Sequence, residues 1–163
     1  MKQFIMVLCV LLVIGGVASA EGRGEKAQLT ADADVLEELV AMERGALDLY
    51  YGQSDPTLYA EQFGDRATYF DPWSGGKIEN DAIKAYLMGF KGLVPETDFE
   101  IRNPSVDVLG DIAILTFSCD ATDVASGAMT PWNVGLIYRQ TGDGWEKIHA
   151  NWNYEAAQPA SGS

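Results

Sequence analysis

From residue 98 to residue 154 the chain reads as four stretches of strand-like pattern: "DFEIRNPSVDVL", "DIAILTFSCDA", "PWNVGLIYRQ" and "WEKIHANWNY". Gly-Asp, Ser-Gly and Gly-Asp-Gly turns separate them, and connections that short join antiparallel neighbours. A four-stranded meander is therefore the frame on which any fold of this chain is built.

An antiparallel sheet of this kind buries one face and needs cover for it. The cover lies upstream. Leu36, Leu39, Val40, Leu47 and Tyr50 recur at helical spacing up to about Tyr51, after Thr30 or Asp32 as N-cap. "PTLYAEQF" forms a short second helix with Pro56 in its first turn. "RATYF" is a short strand ending at Asp71-Pro72, "SGGK" is a turn, and Asn80 starts a third helix that presents Ile83, Tyr86, Leu87 and Phe90. The expected fold is α+β: a curved antiparallel sheet with three N-terminal helices on one face and a pocket between them.

Residues 1–20, "MKQFIMVLCVLLVIGGVASA", carry one positive charge, an apolar run and Ala18-Ser19-Ala20. They read as a secretory signal peptide, which predicts a secreted or periplasmic protein starting at Glu21. The apolar run is shorter than the roughly 20 residues that a spanning helix needs. Residues 21–29 read as a disordered lead-in, 30–155 as the domain, and 156–163 as a disordered tail. With 11 Lys+Arg against 24 Asp+Glu and a net charge of −13, the chain repels phosphate backbones and anionic membranes. After cleavage one cysteine, Cys119, is left, so no internal disulfide forms. One histidine and one cysteine exclude the common zinc sites, and no cofactor motif is present.

Alternation along "WEKIHANWNY" puts Trp145, Lys147, His149, Asn151 and Asn153 on one face and Ile148, Ala150, Trp152 and Tyr154 on the other. In the preceding strand Trp132, Val134, Leu136 and Tyr138 form the apolar set, opposite Asn133, Gly135, Ile137 and Arg139. The apolar sets should face the helices. In "DIAILTFSC" both faces are largely apolar, and alternation does not choose between them.

"ATYFDPWSGGKIENDAIKAYL", "FEIRNPSVDVLGDIAILTF" and "WNVGLIYRQTGDGWEKIHANWN" resemble the SnoaL-like branch of the nuclear-transport-factor-2-like superfamily, including the association (hub) domain of calcium/calmodulin-dependent kinase II. The resemblance spans residues 34–154 and implies a cone-shaped fold, dimeric through the outer sheet face. It implies no single chemistry, because such folds host isomerases, dehydratases, cyclases, hydrolases and pure binding or assembly modules. Three pocket arginines of the hub domain correspond here to Ser118, Leu136 and Trp152, so a neutral, aromatic pocket is expected instead of a carboxylate site.

The candidate pocket is Tyr50, Asp71, Trp73, Tyr86, Phe90, Ser118, Trp132, Leu136 and Trp152. The candidate dimer face is Asn133, Arg139, His149, Asn151 and Asn153. Three functions stay open. The first is binding of a small, largely neutral organic molecule. The second is proton-transfer catalysis (isomerase, cyclase or dehydratase) with Asp71 or His149 as acid/base, Asp71 or Asp107 being the candidates to orient the histidine. The third is a dimerisation module with a vestigial pocket.

Overall fold

The strand boundaries follow the alternation closely. The computed structural model describes the backbone of residues 18–155 and side chains from Asp32 to Glu155. Most of the predicted signal peptide (1–20) and the tail (156–163) lie outside those residues. Helix α1 spans Ala18–Gln53, α2 Thr57–Glu61 and α3 Asp81–Met88. The strands are β1 Phe63–Phe70, β2 Ile78–Glu79, β3 Thr97–Leu109, β4 Ile112–Asp123, β5 Met129–Thr141 and β6 Gly144–Tyr154. Helix α1 takes in residues 21–29, expected from the sequence to be a disordered lead-in, so neither Thr30 nor Asp32 caps it. The segment "EKAQL" is made of strong helix formers, whose propensity extends the helix through that stretch.

The compact unit that begins at Asp32 contains every strand. Its six strands form one curved, unclosed sheet in the order β2-β1-β6-β5-β4-β3. The predicted meander β3 to β6 is antiparallel throughout. Strand β1 departs from the all-antiparallel expectation: it pairs with β6 in parallel, with Thr68 opposite His149 and Tyr69 opposite Ala150. The helical connection from β1 back toward the sheet makes a parallel neighbour possible.

Two irregularities bend the long strands, as bulges do. In β3 the register shifts between Arg102 and Ser105, where Asn103 has φ 52° and precedes Pro104. Asparagine tolerates this left-handed backbone, and proline has no N–H to leave unpaired in the ladder. In β6 the register shifts at Ile148: Ile137 pairs with His149, whereas Tyr138 pairs with Lys147.

That second bulge corrects one sequence expectation. Lys147 was expected outside with His149, yet it is fully buried on the helix side, next to Tyr138. Trp145 turns inward as well, and its Nε1 donates to Glu38 on α1 at 3.2 Å. Beyond the bulge the expected phase holds: Ala150 and Trp152 are buried, and Asn153 is exposed. On α1 the buried stripe is Leu39, Glu43, Ala46 and Leu47, the spacing of one helix face. It packs with Tyr59, Phe63, Ile83, Leu87, Leu115, Leu136 and Tyr138 into one core.

Candidate functional site

Between α1, α2 and the sheet lies a cavity lined by Leu47, Tyr50, Tyr51, Tyr59, Tyr69, Asp71, Trp73, Trp132 and Trp152. Its volume is about 30 Å³, room for on the order of two waters. Six of the rings form an arc. Centroid separations run 5.4 Å from Tyr51 to Tyr50, 6.3 Å to Tyr59, 6.4 Å to Trp152, 5.9 Å to Trp132 and 5.3 Å to Trp73. Several meet edge to face, the arrangement that aromatic quadrupoles favour. Beyond Trp73 lies a second recess of about 360 Å³, which shares Tyr51, Trp73 and Trp132 with the cavity and reaches Val94, Thr97 and Tyr154.

One carboxylate lines the cavity. Asp71 follows β1 and starts a turn in which the Trp73 and Ser74 amides donate to its Oδ1 at 2.9 and 2.6 Å. The Tyr69 hydroxyl donates to Oδ2 at 3.1 Å, and the Tyr86 hydroxyl reaches both oxygens at 3.1 and 2.9 Å. Asp71 thus bounds a turn and lines the pocket at once. Its partners remain protonated: burial, then the neighbouring Asp71, pushes the Tyr86 phenol well up, and burial does the same to Tyr69. Tyr50 is pushed up to about 12, by burial first and by Asp71 second. Two of the lining residues, Trp132 and Trp152, also carry indole N–H groups in the interior. Trp152 Nε1 donates to the Tyr59 hydroxyl at 2.8 Å. Trp132 Nε1 is buried and has no hydrogen-bond partner among the described residues.

Behind Tyr59 sits an ionic cluster that sequence reasoning missed. Lys147 Nζ lies 2.6 Å from Glu43 Oε1, and both side chains are 0% exposed. The ammonium contacts Glu43 off the axis of a good hydrogen bond and stands 3.8 Å above the centre of the Tyr59 ring. The Tyr138 hydroxyl donates a short hydrogen bond to the same Glu43 oxygen. Burial pushes the Lys147 pKa down, and Glu43 partly offsets it. A signal was present: Glu43 falls four residues from both Leu39 and Leu47, in the middle of the apolar stripe.

Among the residues expected at the pocket, Tyr50, Asp71, Trp73, Trp132 and Trp152 line the cavity. Tyr86 reaches it through Asp71 and carries Phe90, 5.1 Å away, on its ring. Leu136 is plain core. Ser118 does not belong to it: it faces outward and donates to Asn133 Oδ1 at 3.2 Å, while Phe117 and Cys119 take the inner face. Leu47, Tyr51, Tyr59 and Tyr69 were not expected there. Burial pushes the Cys119 thiol up to about 12, which leaves it unreactive.

His149 lies on the outer face, away from Trp152. Its Nδ1 shares a 2.7 Å hydrogen bond with Thr68 Oγ1, and its ring packs on Phe70. Neither Asp71 nor Asp107 is among these partners, and burial lowers its pKa. Asn133, Arg139, Asn151 and Asn153 share that outer face. Arg139 Nε donates to Glu146 Oε1 at 2.8 Å, and Asn153 Nδ2 to Asn151 Oδ1 at 2.9 Å.

No protein-family model and no curated protein matches the sequence. Solved structures do match. A ketosteroid isomerase-like protein from Parabacteroides distasonis is 30% identical with a TM-score of 0.67, over 77% of this chain and 91% of that one. A nuclear-transport-factor-2-like protein from Pseudomonas putida is 17% identical with a TM-score of 0.66, over 83% and 94% of the two chains. The association domain of calcium/calmodulin-dependent protein kinase II from C. elegans is 17% identical with a TM-score of 0.63, over 77% and 98%.

Proposed function

The chain belongs to the nuclear-transport-factor-2-like superfamily, and on that footing we propose that it binds a small organic molecule in the ring-walled cavity. One observation carries the reading: a cavity walled by aromatic rings has a single carboxylate, Asp71, among its described lining residues. A largely apolar pocket with few, convergent polar groups is the usual design of a small-molecule site. The test is native mass spectrometry on protein purified from its host, with uptake of indole and p-cresol measured by calorimetry. A co-purified organic molecule, lost in Trp152→Ala, supports the reading. Protein that purifies empty and takes up neither probe sinks it.

A second reading, proton-transfer catalysis with Asp71 as base, is favoured by the likeness to the ketosteroid isomerase-like protein. One feature weighs against it. The Asp71 oxygens already accept from Tyr69, Tyr86, Trp73 and Ser74, which leaves little lone-pair density for taking a proton. Asp71→Asn separates the readings: an isomerase still binds its substrate and loses turnover, whereas a binding protein shows no turnover in either form.

The same proposal puts the protein outside the cytoplasm, as a homodimer through the outer face around Asn133, His149 and Asn151. Mature protein should then begin at Glu21. Asn151→Asp should shift the dimer to monomer in sedimentation, because it adds an unpaired charge to a desolvated contact.

A further inference from the structure

We infer that the ligand of this cavity carries a small organic ammonium group, held by the ring faces and by Asp71. The inference rests on the binding reading and names the class of molecule. Aromatic faces present the negative pole of their quadrupole, so a cage of rings favours a cation over a neutral group of the same shape. Here the six rings from Tyr51 to Trp73 line the cavity, and Asp71 is the one charged residue among the described lining residues. No Lys, Arg or His lines the cavity among them. The nearest interior ammonium, Lys147, does not oppose a second cation, because Glu43 neutralises it at 2.6 Å.

The fold already practises this chemistry once. Lys147 Nζ sits 3.8 Å from the centre of Tyr59 and 5.1 Å from that of Phe63. Tyr59 also belongs to the cavity wall. A neutral ligand would satisfy the apolar walls equally well, yet it would leave Asp71, hydrogen-bonded by Tyr69, Tyr86, Trp73 and Ser74, without a countercharge in a site lined by rings. An anionic ligand is disfavoured by Asp71.

A trimethylammonium head needs more than about 30 Å³, and Trp73 is the residue that can make room. It is 61% exposed, and its ring meets Trp132 and Tyr154 edge to face. It lines both the cavity and the recess of about 360 Å³. Swinging Trp73 joins the two spaces and lets the indole close over the bound ammonium.

The experiment is calorimetric titration with choline, with 3,3-dimethylbutan-1-ol (the same shape without charge) and with 3,3-dimethylbutyrate. Choline is expected to bind at least tenfold tighter than the alcohol, and the carboxylate not at all. Trp73→Leu, at an exposed position, keeps apolar bulk and removes the ring face. It should weaken choline about tenfold and the alcohol less than twofold, and Asp71→Asn should show the same selectivity. Equal affinity of choline and the alcohol overturns the ammonium inference and leaves the pocket reading standing. If none of the three binds while indole or p-cresol does, the inference again fails alone. Failure of every probe removes both.

Discussion

The buried pair Glu43–Lys147 gives the sharpest test of the fold, because its energetics depend on which partner is removed. Both side chains are 0% exposed. Lys147→Met replaces the ammonium with a side chain of similar length that packs against Tyr59 and Phe63. It leaves Glu43 as an uncompensated buried carboxylate, with only the Tyr138 hydroxyl donating to it and Oε2 without a partner among the described residues. Breaking a buried pair from one side costs about 3–5 kcal/mol. For a domain of this size 1 kcal/mol moves Tm by roughly 4 °C, so a fall of about 12–20 °C is expected. The double variant Glu43→Leu/Lys147→Met removes both charges and their desolvation. It should recover most of the loss, and replacing a buried pair this way is often neutral or stabilising by about 1–4 kcal/mol. Calorimetric melting of the wild type, both single variants and the double variant closes the cycle. A Lys147→Met loss under about 1 kcal/mol would refute the argument, as would a double variant less stable than either single one. Either result would mean that water reaches the pair, and that the bulge at Ile148 does not hold Lys147 inside.

Burial and charge set three further outcomes. Trp152→Arg puts an unpaired charge among buried rings and removes the Nε1 bond to Tyr59, so a loss of several kcal/mol is expected in denaturant unfolding. A tolerated variant that gains carboxylate affinity would show the pocket to be open and hub-like. Tyr51, Tyr59, Tyr69 and Tyr138 are pushed above the usual phenol value, chiefly by burial. Their contribution is full below about pH 10 and is lost as pH rises through the folded values; phenolate absorbance should thus appear together with unfolding, and stepwise ionisation of a folded protein would count against it. His149, lowered by burial, contributes stability that is present above about pH 6.5 and declines as pH falls through its folded value. His149→Gln should flatten that acidic decline in melts between pH 7 and 5.

The strands are legible in the sequence because each satisfies a rule of local physics. Alternation requires a regular pleat, and Gly-containing turns mark where it stops, so β3 to β6 lie within a residue or two of their expected bounds. The failures share a cause: one-dimensional alternation carries no information about bulges or about a sheet buried on both sides. Ser118 enters the expected pocket through the hub-domain resemblance alone, because Ile112, Ile114, Ala113 and Leu115 make both faces of β4 apolar and alternation does not choose between them. Only the pairing of Cys119 with Trp132, and of Ser118 with Asn133, settles the phase. The site rings are legible as residue types, whereas Tyr51, Tyr59 and Tyr69 are not legible as site residues, because their convergence is set by how α1 and α2 cross the sheet.

The bulge at Ile148 links these misreadings to function. A regular β6 would have kept Lys147 on the outer face beside His149, solvated and free. The extra residue turns Lys147 inward and leaves His149, Asn151 and Asn153 outside. Once inside, the ammonium needs a counter-charge, and Glu43 supplies it from the core stripe of α1. The cation is thereby held behind Tyr59, on the far side from the polar outer face and neutralised before it can act on the cavity. Asp71 is left as the one charged residue among the described lining of the cavity, so one irregular residue in β6 bears on both the stability of the interior and the charge of the cavity.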